Sequence, residues 1–215
     1  MVYQSYHDST TRSDILRAVA DITNAAAWER FFNLYAGFVF SIARSKGLSA
    51  DMADEVVQDV FISLARKMPT FNYDRQKGRF RSYLLGLVNW RIIDKLKAEK
   101  RENDLKAAYI DEVKAGLNTT SNSKTVEQAW QSAAIKEALR RLSAAIRPEH
   151  FSAFVESTIE GIDTETVMRL HNLTRDNLYQ VRKRCTDKLK KLVAVVLNEM
   201  NGETPPFADG EHPRR

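Results

Sequence analysis

Apolar side chains recur at three- and four-residue intervals through most of this chain, and few residues interrupt them. Trp28, Phe31, Phe32, Tyr35, Phe38, Val39 and Ile42 form one series, and Val56, Val57, Val60, Phe61, Leu64 and Met68 a second. Phe80, Tyr83, Leu84, Leu87, Val88, Ile92 and Leu96 form a third. That spacing lines side chains along one stripe of an α-helix, whereas a half-buried strand alternates every second residue. The chain has 215 residues, 43% of them hydrophobic, and only 8 Gly and 5 Pro. There is enough apolar surface for real cores and little of the turn chemistry that a sheet protein needs. The fold class predicted is all-α, with two small helical domains joined by a flexible linker.

The breakers set the boundaries. Residues 1–12 are polar and expected to be loose. Helical pattern begins near Ser13, read as an N-cap, and Gly47 suits a C-terminal end. Ser49 or Asp51 starts the next helix and Pro69 stops it. Residues 70–78 read as a loop, and a third long helix follows over 79–101. Periodicity weakens over 103–125, and the polar run 118–124 is the linker. Pattern returns over 126–142 with Trp130, Ile135, Leu139 and Leu142. A helix over 149–160 follows Pro148, then a short helix over 164–170, a turn at His171-Asn172-Leu173 and a long helix over 174–197. The tail, 198–215, carries Pro205, Pro206, Gly210 and Pro213 and is expected to be disordered. The domains are thus 13–102 and 126–197.

Charge is segregated along this plan. The net charge is +5. Arg75, Lys77, Arg79, Arg81, Arg91, Lys95, Lys97, Lys100 and Arg101 face only Asp94 and Glu99 in the same stretch. Arg175, Arg182, Lys183, Arg184, Lys188, Lys190 and Lys191 face only Asp176 and Asp187. Asp51, Asp54, Glu55 and Asp59 instead form an acidic cluster. Two separated cationic helices suit a ligand with separated polyanionic patches, and duplex DNA is the leading candidate. The single cysteine, Cys185, cannot form an internal disulfide, which points to a reducing cytoplasm, and its place inside a helix points to packing. No apolar run is long enough to span a membrane, and the N-terminus lacks the pattern of a signal peptide.

The segment 162–193 has the shape of a helix–turn–helix. Thr164–Leu170 would be the support helix, with Val167 and Leu170 facing inward and Leu173 plugging the angle. Thr174 would cap the second helix, and Leu178 and Val181 would continue the buried face. That leaves Arg175, Asp176, Asn177, Tyr179, Gln180, Arg182 and Lys183 for solvent or a groove. Near a recognition helix's N-terminus such side chains read base edges, and further along they hold phosphates. An ordinary helical hairpin with a solvated charged face carries the same pattern.

In the first domain, Phe71, Tyr73, Phe80, Tyr83 and Trp90 sit among Arg75, Lys77, Arg79, Arg81, Arg91 and Lys95. Rings that stack bases, beside cations that track a backbone, suit single-stranded nucleic acid, and a loop pocket can hold an unstacked base. Phe80 and Tyr83 also fit a core. No enzyme is expected. His7, His150, His171 and His212 are scattered without metal spacing, Glu149-His150 lacks the second His of a metalloprotease motif, and no glycine loop is built for phosphate. No cofactor and no metal site is expected.

The sequence 53–61, Ala-Asp-Glu-Val-Val-Gln-Asp-Val-Phe, resembles the acidic helix of region two in bacterial sigma factors. The stretch 71–84, with Ile92-Ile93-Asp94-Lys95-Leu96 downstream, is similar to their promoter-melting loop and helix, and 158–184 looks like region four. Both regions in this order, with no further domain, resemble the extracytoplasmic-function subfamily of the sigma-70 family, over about 13–102 and 126–197. The resemblance implies that Asp54, Glu55, Gln58 and Asp59 bind the coiled coil of the largest subunit of core RNA polymerase, with β′ and β subunits as partners. It implies minus-ten DNA binding by Phe71, Asn72, Tyr73, Arg75, Lys77, Arg79, Arg81, Asn89, Trp90, Arg91 and Lys95. It implies minus-thirty-five DNA binding by Thr174, Arg175, Asn177, Tyr179, Gln180, Arg182 and Lys183. The chain departs from common members at Asn89-Trp90, where they carry Arg-Asn, and at Tyr179. Members are often held by an anti-sigma factor. The expectation is a cytoplasmic alternative sigma factor that binds core polymerase, recognises a promoter and helps melt it. The alternative is a helix–turn–helix regulator that never engages polymerase, which would leave the acidic helix and aromatic loop without a task.

Overall fold

The computed structural model describes residues 12–70, 80–100 and 123–201. Every regular element among them is helical. They are α1 (Arg12–Ala18), α2 (Ala25–Ser45), α3 (Ala50–Lys67) with a 3-10 turn (Met68–Thr70), α4 (Phe80–Lys100), α5 (Ser123–Ala145), α6 (Pro148–Thr158), α7 (Thr164–Leu170) and α8 (Arg175–Asn201). The chain divides into two compact units, one of residues 1–133 with 198–215, the other of residues 134–197.

In the first unit, local chemistry sets the helix ends. Helix α1 opens at Arg12, so Ser13 lies inside its first turn and not at the cap. A turn then separates it from α2. There Asp21 Oδ1 accepts from the Thr23 amide and hydroxyl, and Asn24 Oδ1 accepts from the Ala27 amide at 3.1 Å. Helix α2 closes with Gly47 at φ 81°. The Gly47 amide donates to Arg44 O and the Leu48 amide to Ala43 O, which satisfies the last carbonyls in the left-handed geometry glycine adopts without cost. Ser49 Oγ then caps α3 by accepting from the Met52 amide at 3.2 Å.

Helices α2, α3 and α4 pack pairwise into a bundle. Its core holds Phe31, Leu34, Tyr35, Phe38 and Ile42 of α2, Val56, Val60 and Leu64 of α3, and Phe80, Leu84, Val88 and Ile92 of α4, all essentially sealed from solvent. Rings meet edge-on or tilted: Phe31 with Tyr35 at 4.9 Å, Tyr35 with Phe80 at 5.3 Å and Phe31 with Phe80 at 5.8 Å. Phe80 is therefore core, and Tyr83 is half-buried, with burial pushing its phenol pKa up.

Two further pieces complete this unit. Trp130, on the part of α5 that belongs here, is buried 4.9 Å from the Phe38 ring and 5.8 Å from Tyr35. Its indole Nε1 donates to Asn201 Oδ1 at 2.9 Å, and Glu199 pairs with Arg30 at 3.2 Å. Two boundaries read from the sequence are thereby corrected. Residues 126–133 group with the first unit, and residues 198–201, expected to begin a disordered tail, are the last turn of α8, with Met200 fully buried. The reason is that Trp130 needs both a large apolar seat and a polar partner for its N–H, and this unit supplies both. Helix α5 starts at Ser123, so 123–125 are helical, and the rest of the linker, 103–122, lies outside the described residues, as do 1–11 and 202–215.

The second unit packs around two small apolar clusters. Leu142, Phe154, Val181 and Cys185 form one, and Ala153, Val167 and Leu178 the other, with Ile162, Met168 and Leu173 against it. Pro148 starts α6 at a position where its missing N–H is not needed. Asp163 Oδ1 caps α7 by accepting from the Thr166 amide at 2.9 Å, and hydrogen bonds to Thr166 hold its carboxyl below the usual range. Glu137 is buried beside α5's own cations. Arg140 donates to it through two nitrogens at 2.7 and 2.9 Å, and Arg141 Nε at 2.7 Å. Burial pushes its pKa up, but the hydrogen bonds and charges of Arg140 and Arg141 outweigh that and leave it low. Ile135, read as part of the inward stripe, is exposed.

Candidate nucleic-acid and polymerase interfaces

The first unit carries one acidic and one basic helix. On α3, Val56, Val57, Val60 and Leu64 are spent on the core. The opposite face therefore presents Asp54, Glu55 and Gln58 to solvent, with Asp59 half-buried beside them. One turn further on, Ile62 is 49% exposed. An apolar residue centred on a polar face is what an interface core needs, ringed by groups that fix orientation. The sequence reading missed Ile62, although its absence from the apolar stripe 56-57-60-61-64 was the available signal.

On α4, Arg81, Asn89, Trp90, Arg91 and Lys95 lie among the described residues; Phe71, Asn72, Tyr73, Arg75, Lys77 and Arg79 lie outside them. Trp90 is 52% exposed. The Arg91 guanidinium stacks on its ring, 4.4 Å from the centroid, while Nε and Nη2 donate to Ser63 Oγ of α3 at 3.2 and 2.6 Å. Lys95 is ion-paired with Glu55 of α3. Arg81 pairs with Glu127 at 2.8 Å and lies 4.9 Å over the Trp130 ring, and its hydrogen bond holds Glu127 below the usual carboxylate range. Asn89 is half-buried, with its side-chain oxygen sealed from solvent. The open face of α4 is instead a row of Ser82, Gly86, Trp90 and Asp94, with Lys97 beside it and Asp94 3.7 Å from Arg91. A Cβ added at Gly86 would meet nothing within 4 Å. The fold itself thus gives no reason for a mid-helix glycine that costs about 0.5–1 kcal/mol relative to alanine.

The structure brings Lys95 and Arg91, implied to meet DNA, against the helix implied to meet polymerase. These contacts do not lock the cations away. Partly exposed ion pairs contribute about 0–1 kcal/mol and yield readily to a polyanion.

In the second unit, a short turn over 171–174 joins α7 to α8. Asn172 takes φ 49° in the turn, where asparagine tolerates left-handed backbone. The Leu173 amide donates to Met168 O at 2.9 Å, and His171 Nε2 meets Glu156 Oε2 of α6 at 2.8 Å. Thr174 Oγ1 caps α8 by accepting from the Asn177 amide at 3.2 Å. Leu178, Val181 and Cys185 are buried. Thr174, Arg175, Asn177, Tyr179, Gln180, Arg182 and Lys183 are all exposed, Tyr179 at 62%. One expectation is corrected: Leu170 does not face inward but is 66% exposed. The inward stripe of α7 is centred between Val167 and Met168, and Leu170 lies more than a quarter turn away from it.

Residues 31–102 match the family described as Sigma-70 region 2. The matched segment contains most of α2 and all of α3 and α4. Over that segment the chain is similar to a region of sigma factors, which act with RNA polymerase in transcription initiation. No curated protein and no solved structure matches the chain. No helix among the described residues is long and apolar enough to cross a membrane.

Proposed function

We propose that this chain, similar to Sigma-70 region 2 over residues 31–102, is an alternative sigma factor of the extracytoplasmic-function type. The outward face of α3, with Asp54, Glu55, Gln58, Asp59 and Ile62, docks on a coiled coil of the largest polymerase subunit. The open face of α4 with Trp90, together with residues 71–79 before it, meets the minus-ten element. The exposed start of α8 reads the minus-thirty-five element in the major groove. Melting is binding energy spent on an unstacked strand, with no catalysis by the chain itself and the bond-making left to polymerase. The chain works in the cytoplasm, where an anti-sigma factor can hold it.

The observation that carries this reading is the coincidence within one matched segment of a solvent-facing acidic helix and a basic helix with an exposed aromatic ring. An acidic patch does not face DNA, so the two helices call for two partners. The test is co-elution of the purified chain with bacterial core RNA polymerase at moderate salt, repeated with Asp54→Arg/Asp59→Arg. Co-elution that is lost in the folded double variant supports the docking face. A folded chain that ignores polymerase, including its own host's, leaves the plain DNA-binding regulator.

A further inference from the structure

His171, in the turn between α7 and α8, sets its Nε2 2.8 Å from Glu156 Oε2 on α6. An ionised carboxylate only accepts, so the Nε2–H is the donor. The two side chains are 14% and 24% exposed, which shields the bond from most competition by water. The other polar contacts described for residues 171–174 stay within α7, α8 and the turn itself. The His171 amide donates to Val167 O at 3.0 Å and the Leu173 amide to Met168 O at 2.9 Å, while Thr174 accepts from the Asn177 and Leu178 amides. Those contacts fix the form of the turn but tie it to no other element. Leu173 packs on the cluster of Ala153, Val167 and Leu178, and apolar burial has no preferred direction. The Glu156–His171 bond spans 15 residues and anchors the turn directionally to α6.

The anchor matters because of where α8 is held. Its core residues Leu178, Val181 and Cys185 lie beyond its first turn, and the chain enters it through Asn172 at φ 49°. Helix α7 has seven residues, and Val167 is the buried one. The direction of the first turn of α8 is therefore set largely at residues 171–174. A tilt of about 10° about Val181 carries Arg175, about 9 Å along the axis, by roughly 1.5 Å, whereas a binding constellation tolerates about 0.5 Å. Long Arg and Lys side chains on phosphates absorb such a shift. Hydrogen bonds to base edges do not, because their donors and acceptors must match in register.

We propose that Glu156 and His171 are positioning residues for sequence readout: their bond fixes the direction in which Arg175, Asn177 and Tyr179 meet base edges. The assignment rests on the reading of α8 as the element that enters the major groove. Neither residue touches DNA in it, and a partly exposed pair of this kind adds little to stability.

The probe is the duplex that the full wild-type chain enriches from a random-sequence pool, measured beside a random-sequence duplex of equal length. His171→Ala and Glu156→Ala should each lower the ratio of the two affinities about tenfold, and the double variant no further than either alone. Affinity for the random duplex, and its salt dependence, should stay within about twofold, because Arg175, Arg182 and Lys183 are untouched. His171→Gln places an amide N–H where the Nε2–H stood, and Glu156→Gln keeps an acceptor oxygen, so both should hold the ratio within about threefold of wild type. An unchanged ratio in the alanine variants, additive losses in the double variant, or equal losses on both duplexes would overturn the proposal. So would loss of the ratio in both glutamine variants, or unfolding of either alanine variant, which would make the pair a structural one. If the wild-type chain enriches no sequence, the reading of α8 fails first and the proposal falls with it.

Discussion

Helices α4 and α8 are both long and both rich in cations, yet the structure treats their charges differently. On α4, Arg81, Arg91 and Lys95 each have a partner on another helix: Glu127, Ser63 and Glu55. On α8, Arg175, Arg182 and Lys183 are exposed, and no carboxylate among the described residues pairs with them. Helix α4 lies inside a bundle, so its flanks face neighbours. The first three turns of α8 give up only the stripe of Leu178, Val181 and Cys185 to a core. Similar charge density in sequence therefore yields two kinds of surface. One is engaged by internal partners; the other is open to solvent.

The most forceful way to break this contrast is to remove what occupies Arg81. Trp130→Ala takes a buried indole out of the seat beside Tyr35 and Phe38, and should cost about 3–5 kcal/mol in denaturant unfolding. A cost under about 1 kcal/mol would mean that the ring does not complete this core. The second unit offers its own exception, the engaged pair Arg140 and Arg141. Glu137→Gln should lower that unit's stability at neutral pH by roughly 1–3 kcal/mol. The folded pKa of Glu137 lies below its unfolded value, so its contribution is present above about pH 4.3 and is lost as pH falls through the folded value. The stability difference between wild type and variant should therefore be full at pH 7 and shrink as the pH falls below about 4.3; a pH-independent difference would contradict the assigned pairing.

Smaller effects sharpen the comparison. Arg182→Ala with Lys183→Ala should weaken duplex binding by about tenfold, on the order of 1.4 kcal/mol. The salt dependence should become shallower by about one unit per residue. Thermal unfolding should not move, because both side chains are exposed; a lower Tm would assign them to the fold. The smallest effect belongs to the α3–α4 pair. Glu55→Gln should change stability by at most about 1 kcal/mol. It should raise affinity for single-stranded DNA slightly, since Lys95 no longer has an internal competitor, and weaker binding would count against that competition.

Much of this was legible in the sequence. The stripes on α2, α3 and α4, the caps Ser49 and Thr174, the left-handed Gly47 and Asn172, and the exposed side chains at the start of α8 all follow from relations within a turn or two of one helix. What the sequence left open was settled across long separations. Arg91 meets Ser63 28 residues away, Arg81 meets Glu127 46 away, and Trp130 meets Asn201 71 away. These pairings put Trp130 and the end of α8 into the first unit and turned Arg81, Arg91 and Lys95 toward internal partners. Leu170 shows the same division: its helix was predictable, but only the packing of Val167 and Met168 fixed which way that helix turned. Helical periodicity and capping depend on neighbours three or four residues apart, which the sequence states directly. The rotation of each helix about its axis depends on which apolar surfaces meet, and only the packed tertiary structure decides that.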